Sequence, residues 1–466
     1  MSTQNGQASQ QHIHLLGIGG AGMSAIATVL RQQGHTVSGT DRQASTTTDR
    51  LQQMGITVYI GHRPENLAAG VTALVVSSAI SADNPELQAA RARQIPLFKR
   101  AEWLGRMMAG QTGIALAGTH GKTTTTAMTA FVLREAGLDP TFIVGGFVPQ
   151  MEANAAAGTG AAFVIEADEY DHTFLGLQPQ VAVVTIVEWD HPDIFATPQA
   201  LQQAFQDFVR LVPPDGLVIG CGDAVGVPET LAAARSPVLT YGLDPHNDWQ
   251  AVNLAVNERG GYRCQIRQKR SGRILPVTVS LTAPGLHNLY NALAALMVAE
   301  QQGVDLSDAV QILNRFTGVG RRFEQKGQVN NIIVVDDYAH HPTEIKATLA
   351  AARSKFGDRP LWALFQPHTF SRTLAMLDDF AAAFTEADHV VLVDIFPSRE
   401  VDEGRVSSRD IMARMNHPDV RYIGSRESAA DFLAAHLSPP ALLLTMGAGN
   451  SDEIGDWVLA RLGRGD

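Results

Sequence analysis

The chain is poor in cysteine, with two in 466 residues, Cys221 and Cys264. Two thiols so far apart give neither a disulfide framework nor a metal-ligand spacing, and both read as buried apolar fillers in a reduced compartment. No apolar run reaches the roughly 18 residues needed to cross a bilayer. The opening MSTQNGQASQQ has neither the basic start nor the apolar stretch of a signal peptide. Residues 1–11 therefore read as a disordered leader, and the chain as cytoplasmic. Positive charge is also scarce: 36 Lys and Arg stand against 47 Asp and Glu, a formal net charge of −11. That excludes a nucleic acid or an anionic membrane held by a general basic field, so any phosphorylated ligand must be met by local cations. Internal repeats are lacking. The one biased tract, the alanine-rich MEANAAAGTGAA, is expected to be a loop with a short helical turn.

What remains is a globular composition, 45% apolar and 18% charged, long enough for about three domains. Three α/β blocks can be traced. In the first, 12–107, the strand HIHLLGIGG runs into the helix pattern AGMSAIATVLRQQG, and HTVSGTD, TVYIG and ALVVSSA follow as strands at crossover spacing, a Rossmann-like domain. The second, 108–315, opens with the strand GIALAG and the helix TTTTAMTAFVLREAG, followed by AAFVIEAD, QVAVVTIVEWD and GLVIGCG. From Trp249 to about Thr282 alternating segments with GG and SG turns predict an antiparallel hairpin attached to a mainly parallel sheet. The third, 316–466, alternates NIIVVDD, PTEIKATLAAARSKF, LWALFQPH, SRTLAMLDDFAAAF, HVVLVDIF and ALLLTMGAG, a second Rossmann-like domain.

Gly17, Gly19, Gly20 and Gly22 supply a G-x-G-x-x-G pattern between a strand and a helix, and Asp41 ends the next strand. Such a turn lets backbone amides and a helix N-terminus approach a diphosphate. A dinucleotide, another diphosphate such as a UDP-sugar, and a tight turn without ligand all satisfy it. In AGTHGKTTTT, 117–126, the standard phosphate-loop pattern lacks its first glycine, because position 116 is Leu. Gly121-Lys122-Thr123 is nevertheless intact between a strand and a helix. Lys122 can reach phosphates and Thr123 can hold Mg²⁺. The plain alternative, an exposed lysine, puts a cation against the positive end of a helix dipole.

FVIEADEYD places Glu166, Asp168, Glu169 and Asp171 after one apolar strand, and VVTIVEWDHPD places Glu188, Asp190, His191 and Asp193 after another. Parallel strands deliver such residues to one sheet edge. Hard oxygens plus an imidazole suit Mg²⁺, with Mn²⁺ as the alternative, and Glu166 and His191 are the preferred ligands. Taken one at a time, the acids read better as capping or solvated groups. Asn288 and Asn291 can read a base edge or cap their helix. In DDYAHHP, neighbours on an extended turn point apart, so His340 and His341 divide into one ligand and one structural residue. His368 and Arg372 follow the strand LWALF.

Together these motifs resemble the Mur ligases. The resemblance covers nearly the whole chain: GIGGAGM, SSAI with NPE, AGTHGKTTTT, EADEYD, DHPD, HNLYNALAA, GVGRRFE, DDYAHHPTEI and FQPHTFSRT, in that order. It implies a UDP-sugar domain, an ATP domain built on a shortened phosphate loop, and a third domain serving nucleotide and amino acid. By resemblance, Gly17, Gly19, Gly20, Gly22, Asp41, Ser77 and Ser78 meet the UDP-sugar. Gly118, Thr119, His120, Gly121, Lys122, Thr123 and Thr124 meet the ATP phosphates, Asn288 and Asn291 the adenine, and Arg321 and Asp337 the phosphates and ribose. Thr123, Glu166 and His191 would hold Mg²⁺, with His340, His368 and Arg372 near the γ-phosphate and the amino acid. Some relatives carry arginine where this chain has Thr369, which removes one cation. Sister enzymes carry a carbamylated lysine after the DH motif, and QQAFQDFVRLV offers none.

The activity so implied is ATP-dependent ligation of L-alanine to the lactyl carboxylate of UDP-N-acetylmuramate through an acyl phosphate, with His340 a candidate base. The chain is expected as a monomer or homodimer whose domains close on the ligands. Three other readings are a recycling ligase that takes a tripeptide, an NAD-dependent oxidoreductase built on the first domain, and an ATP-binding scaffold. The oxidoreductase leaves GKT and GRRFE without a role.

Overall fold

The computed structural model describes residues 10–463, so 1–9 of the expected leader lie outside the described residues. The fold is three-domain α/β, with one sheet per domain. In the first sheet all five strands are parallel, in the order Thr57–Ile60, Thr36–Asp41, His12–Leu16, Ala73–Val76, Leu97–Lys99. The order reverses on either side of His12–Leu16, and the glycine-rich turn follows that strand at the switch point. NPE proves structural: Asn84 caps the helix Pro85–Ala92, and the carboxylate of Glu86, fully buried, bonds His14, Thr40 and His62 at 2.8–3.0 Å.

The central sheet has ten strands, and Thr112–Ala117 lies between Val181–Val184 and Ala162–Glu166, parallel to both. Its alternate side chains enter two cores: Ile114 and Leu116 one, Ala115 and Ala117 the other. Burial on both faces explains the unbroken apolar run of GIALAG. The helix Lys122–Glu135 packs against the helix Leu286–Gln301 and is buried from Thr123 to Leu133. Its threonines tolerate this because Thr125, Thr126 and Thr129 donate to the carbonyls four residues back at 2.8 Å.

Three local expectations differ from the fold. Trp249–Val256, Gly261–Gln268 and Arg273–Pro284 form a three-stranded meander where one hairpin was expected, since each glycine turn closes its own hairpin. MEANAAAGTGAA contains a strand, Ala153–Ala156, on the sheet edge. The first domain covers that edge, with Ala157 N donating to Gln32 Oε1 at 2.7 Å. SRTLAMLDDFAAAF is two helices, Phe370–Ala375 and Leu377–Ala381, broken at Met376. The break allows Arg372 to point inward at Asp190 while Phe380 stays in the core.

The C-terminal sheet runs Glu324–Val329, Ile332–Asp337, Ala441–Met446, Leu361–Phe365, His389–Leu392, Val420–Tyr422, antiparallel only at its first edge. Its inner strands are buried throughout. The domains join in different ways. The first domain shares a continuous apolar core with the central one through Trp103, Leu104, Phe174 and Leu177. The C-terminal domain keeps two cores of its own, one of them touched by Trp189 of the central domain, and meets that domain mainly through ion pairs and hydrogen bonds.

Candidate active site

The phosphate-loop segment turns sharply between strand and helix. Gly118 has φ +139°, and a Cβ there would lie 1.9 Å from Thr185 Oγ1, so the position admits only glycine. Gly121, at φ +81°, starts the helix. Lys122 Nζ donates to Gly118 O at 2.6 Å, to Thr119 O at 3.1 Å and to Glu169 Oε1 at 2.9 Å. Glu169 is fully buried, and its second oxygen also lies 2.9 Å from Nζ. Sequence reasoning placed Glu169 among exposed or capping acids, whereas the fold makes it the counter-ion of the lysine. Burial raises the Glu169 carboxyl, and Lys122 works against that rise.

Thr123 Oγ1 donates to Glu166 Oε1 at 2.9 Å, and Gly145 N donates to the other carboxylate oxygen at 2.7 Å. Two hard oxygens at a helix start fit Mg²⁺. His191 belongs to the same acidic end, with Nε2 3.6 Å from Glu169 Oε1 and 3.7 Å from Asp190 Oδ2. The structure thus brings Thr123 and Glu166 into contact and sets His191 beside them through Glu169. A separate His/acid cluster, His120, Glu188 and His341, has its ligand-type atoms within 4.8 Å of one another.

A cavity of about 350 Å³ lies between the central and C-terminal domains. Gly121, Thr124, Asn288, Asn291 and Asp337 all line it, as do Arg322 of the GRRFE segment and the unforeseen Tyr241 and Tyr290. Asn288 Nδ2 donates to Pro284 O at 2.7 Å, and Asn291 Oδ1 accepts from Thr125 Oγ1 at 3.1 Å, so one helix end is tied to the phosphate loop. Asp337 accepts from Phe323 N at 2.7 Å and Ala339 N at 2.8 Å. Burial pushes its carboxyl up to about 6, against the opposing charge of Arg322.

Arg321 departs from the expectation that it meets the nucleotide. Its guanidinium donates to Asp336 Oδ2 at 3.0 Å and to the carbonyls of Gly449 and Gly447 at 2.8 Å, inside the C-terminal domain. Positive φ at Arg321 and Phe323 turns the chain so that Arg322 faces the cavity, 3.3 Å from Thr123 Oγ1. Two adjacent arginines look alike in sequence, and only the turn separates them.

His340, His368 and Arg372 do meet. The His340 and His368 rings are 5.9 Å apart, and Arg372 NH1 lies 3.2 Å from His368 Nδ1. Arg372 Nε donates to Asp190 Oδ1 at 2.7 Å, across the domain boundary. Burial pushes His340 down to about 3 and His368 down to about 4, so both are neutral and weakly basic. His341 divides from its neighbour: Nδ1 accepts from Thr343 N at 3.3 Å and caps the helix Pro342–Phe356. Within the phosphate loop, His120 lies between Glu344 at 3.1 Å and Glu188 at 3.2 Å.

In the first domain Gly19 N donates to Asp41 Oδ2 at 2.8 Å, and Ser77 packs against Gly17, with Ser78 exposed next to it. Gly20 caps the helix Ala21–Gln32. Arg100, not foreseen, lies against Gly22 and reaches Asp168 at 3.1 Å and Thr173 at 2.9 Å. The glycine turn and the acidic strand end are therefore joined by one side chain.

Family models match in the same order as the three sheets: Mur ligase family, catalytic domain, over 12–112; Mur ligase middle domain over 116–299; Mur ligase, glutamate ligase domain, over 321–449. A UDP-N-acetylmuramate–L-alanine ligase of Roseiflexus castenholzii is 42% identical, with 98% of both chains covered. The chain belongs to the Mur ligase family. Another relative of the same name, from Oleidesulfovibrio alaskensis, is 42% identical over 96% of this chain and 98% of its own. Among solved structures of Mur ligases, the UDP-N-acetylmuramate–alanine ligase of Thermotoga maritima superposes with TM-score 0.81 at 27% identity, covering 97% and 99% of the two chains. A murein peptide ligase of Psychrobacter arcticus gives 0.74 at 29% identity, covering 98% and 99%.

Proposed function

We propose that this Mur ligase joins L-alanine to the lactyl carboxylate of UDP-N-acetylmuramate at the expense of ATP, in peptidoglycan precursor synthesis. The observation that carries the reading is that the GTHGKT loop, with its Thr123–Glu166 oxygen pair, is linked through Glu169, His191 and Asp190 to the His340–His368–Arg372 group across the boundary of two domains. Relatives that bear the alanine ligase name over almost the full chain support it.

ATP is taken with its adenosine in the cavity by Asn288 and Asn291 and its phosphates at Lys122. A magnesium ion held by Thr123 and Glu166, with His191 nearby, supplies charge neutralisation when bound. To meet phosphate, Lys122 must exchange part of its hold on Glu169 and the loop carbonyls. The sugar carboxylate attacks the γ-phosphorus, ADP leaves, and the acyl phosphate is attacked by the amine of alanine, which loses a proton as phosphate departs. Lys122 and Arg322 are the cations placed to offset the repulsion between the two anions, so positioning and electrostatics supply most of the rate. With its pKa near 3, His340 acts as a neutral hydrogen-bonding group better than as the base.

The diphosphate of the sugar nucleotide is assigned to the glycine turn, with Arg100 as an added cation. ATP and nucleotide sugars are cytoplasmic, and the cytoplasm is the proposed location. Among the described residues no helix is long and apolar enough to cross a membrane. Phosphate release with ATP, Mg²⁺ and UDP-N-acetylmuramate tests the proposal, comparing L-alanine, glycine, L-serine and the tripeptide of the recycling reaction. L-alanine is expected to give the highest kcat/KM. Absence of release with every amine removes the ligase reading, and preference for the tripeptide replaces it with the recycling one.

A further inference from the structure

His120 and Glu188 follow two neighbouring parallel strands of the central sheet, Thr112–Ala117 and Val181–Val184. His341 starts the helix Pro342–Phe356 of the C-terminal domain. The three side chains meet at the domain boundary. His120 Nε2 lies 3.2 Å from Glu188 Oε2, the same oxygen lies 3.9 Å from His341 Nδ1, and the two imidazole rings are 4.6 Å apart. The proposed ligation uses neither Glu188 nor His341.

The cluster has the outer contacts that orient metal ligands. Glu344 Oε1 lies 3.1 Å from His120 Nδ1 and accepts its N–H, which turns Nε2 toward Glu188. Glu188 is steered in the same way, since its other oxygen accepts from Thr343 Oγ1 at 2.8 Å. Burial works against charge here, yet the surrounding histidines hold the Glu188 and Glu344 carboxyls below the usual range, so two negative charges remain. The His341 side chain is 5% exposed. Its Nδ1 accepts one long bond, 3.3 Å from Thr343 N, and its Nε2 is buried with no hydrogen-bond partner among the described residues. A buried imidazole so little used calls for a ligand. Held by no short bond, the ring is able to present either nitrogen. Glu188, 31% exposed, opens the cluster to ions from solvent.

We infer that His120, Glu188 and His341 bind one divalent transition ion of the Zn²⁺ class, which staples the phosphate loop to the C-terminal domain. Two imidazoles and a carboxylate, with water in the fourth position, are an open zinc donor set. Bonds of about 2.0–2.1 Å to a tetrahedral ion place neighbouring donors about 3.3 Å apart. The His120–Glu188 pair already has that spacing, and His341 has only a short way to come. Binding displaces the proton that His120 Nε2 shares with Glu188 and leaves Glu344 on Nδ1. Mg²⁺ demands octahedral oxygen donors, so the ion expected at Thr123 and Glu166 does not compete for this place. The inference does not depend on the ligase reading.

The test is zinc retention by the untagged full-length protein, stripped with a chelator and dialysed against Zn²⁺ alone or Zn²⁺ with excess Mg²⁺. One ion per chain should remain in both buffers, and its X-ray absorption spectrum should show two imidazoles. His120→Gln, Glu188→Gln and His341→Asn should each weaken binding roughly ten-fold or more. Asparagine at 341 still caps the helix, so that variant keeps its fold. Zn²⁺ should raise the melting temperature of the unsubstituted protein and leave that of His341→Asn unmoved. Two further variants mark the other places where zinc can settle: His191→Ala beside the Thr123–Glu166 pair, and His246→Ala in the exposed cluster of Asp223, Asp244 and His246. Both should retain the ion. Loss of zinc in either of them, with retention in His341→Asn, overturns the assignment, as does displacement of zinc by Mg²⁺. A melting temperature unmoved by bound zinc also overturns it, since the ion would then join nothing across the boundary.

Discussion

Arg372 Nε donates to Asp190 Oδ1 across 2.7 Å, and the two side chains are 3% and 2% exposed although they come from different domains. The arginine holds the Asp190 carboxyl well below the usual carboxylate range, against the burial that would raise it. Other links between the central and C-terminal domains are largely polar, with Trp189 packing on the C-terminal core as an apolar exception, and interfaces of that kind allow domains to move. Ligands placed on both sides of such an interface are expected to draw it closed.

Removing one partner of this pair should therefore cost more than an exposed ion pair would. Asp190→Ala leaves a buried guanidinium uncompensated and should destabilise the docked C-terminal domain by about 3–5 kcal/mol. Urea unfolding would read this as a lowered midpoint, with the double variant Asp190→Leu/Arg372→Leu regaining most of it. An unchanged midpoint in Asp190→Ala would show that the pair does not hold the domains together.

A second link is set by pH. Burial alone would lower His120, but Glu344 and Glu188 outweigh it and push it up to about 9. A raised histidine contributes stability that is complete below 6.5 and is lost as pH climbs through 9. Melting temperature should fall between about pH 7 and 10 by the equivalent of about 1–3 kcal/mol. The slope should flatten in His120→Gln. The same slope in both proteins would remove His120 as its source.

On the acid side the sign reverses. Burial pushes His287 down to about 4, His340 to about 3 and His368 to about 4, so their contribution is complete above 6.5 and is lost as pH falls toward those values. Asp337, raised to about 6, works the other way and loses stability as pH rises from 3.8 to 6. Glu169, Asp336 and Glu300 are raised as well, but the lowered histidines, which include His12, His35 and His341, act together with the lowered Glu188 and Glu344, so unfolding experiments between pH 6.5 and 4 should show declining stability. His368→Asn should reduce the slope, and a steeper slope in that variant would contradict the assignment.

Lys122 ties the chemistry to the fold. Lys122→Ala should abolish phosphate release and, by leaving Glu169 charged in a buried site, should also lower the melting temperature. Lys122→Ala/Glu169→Gln should regain stability without regaining activity. Release that survives in either variant would show that the loop does not handle the ATP phosphates.

Much of this was legible one strand at a time. LWALF and ALLLTM are unbroken apolar runs because parallel strands are buried on both faces, and each motif falls at the end of such a run or at a helix start. Less legible were short edge elements such as Ala153–Ala156, whose small residues pair only because a sheet edge and a covering domain are there to receive them. In the site, Lys122, Thr123 and Glu166 could be named from spacing. Glu169 and Arg100 could not, since each takes its meaning from a residue far away in the chain.

The sequence by itself determined the three α/β blocks, the glycine turn, the shortened phosphate loop and the acidic strand ends, because backbone conformation and apolar periodicity are local properties. Only the tertiary structure decided which of two adjacent arginines faces the cavity, which of four clustered acids neutralises Lys122, and which acid Arg372 meets across the domain boundary. Those outcomes depend on burial and on partners brought together across domains, and charge identity alone carries no record of either.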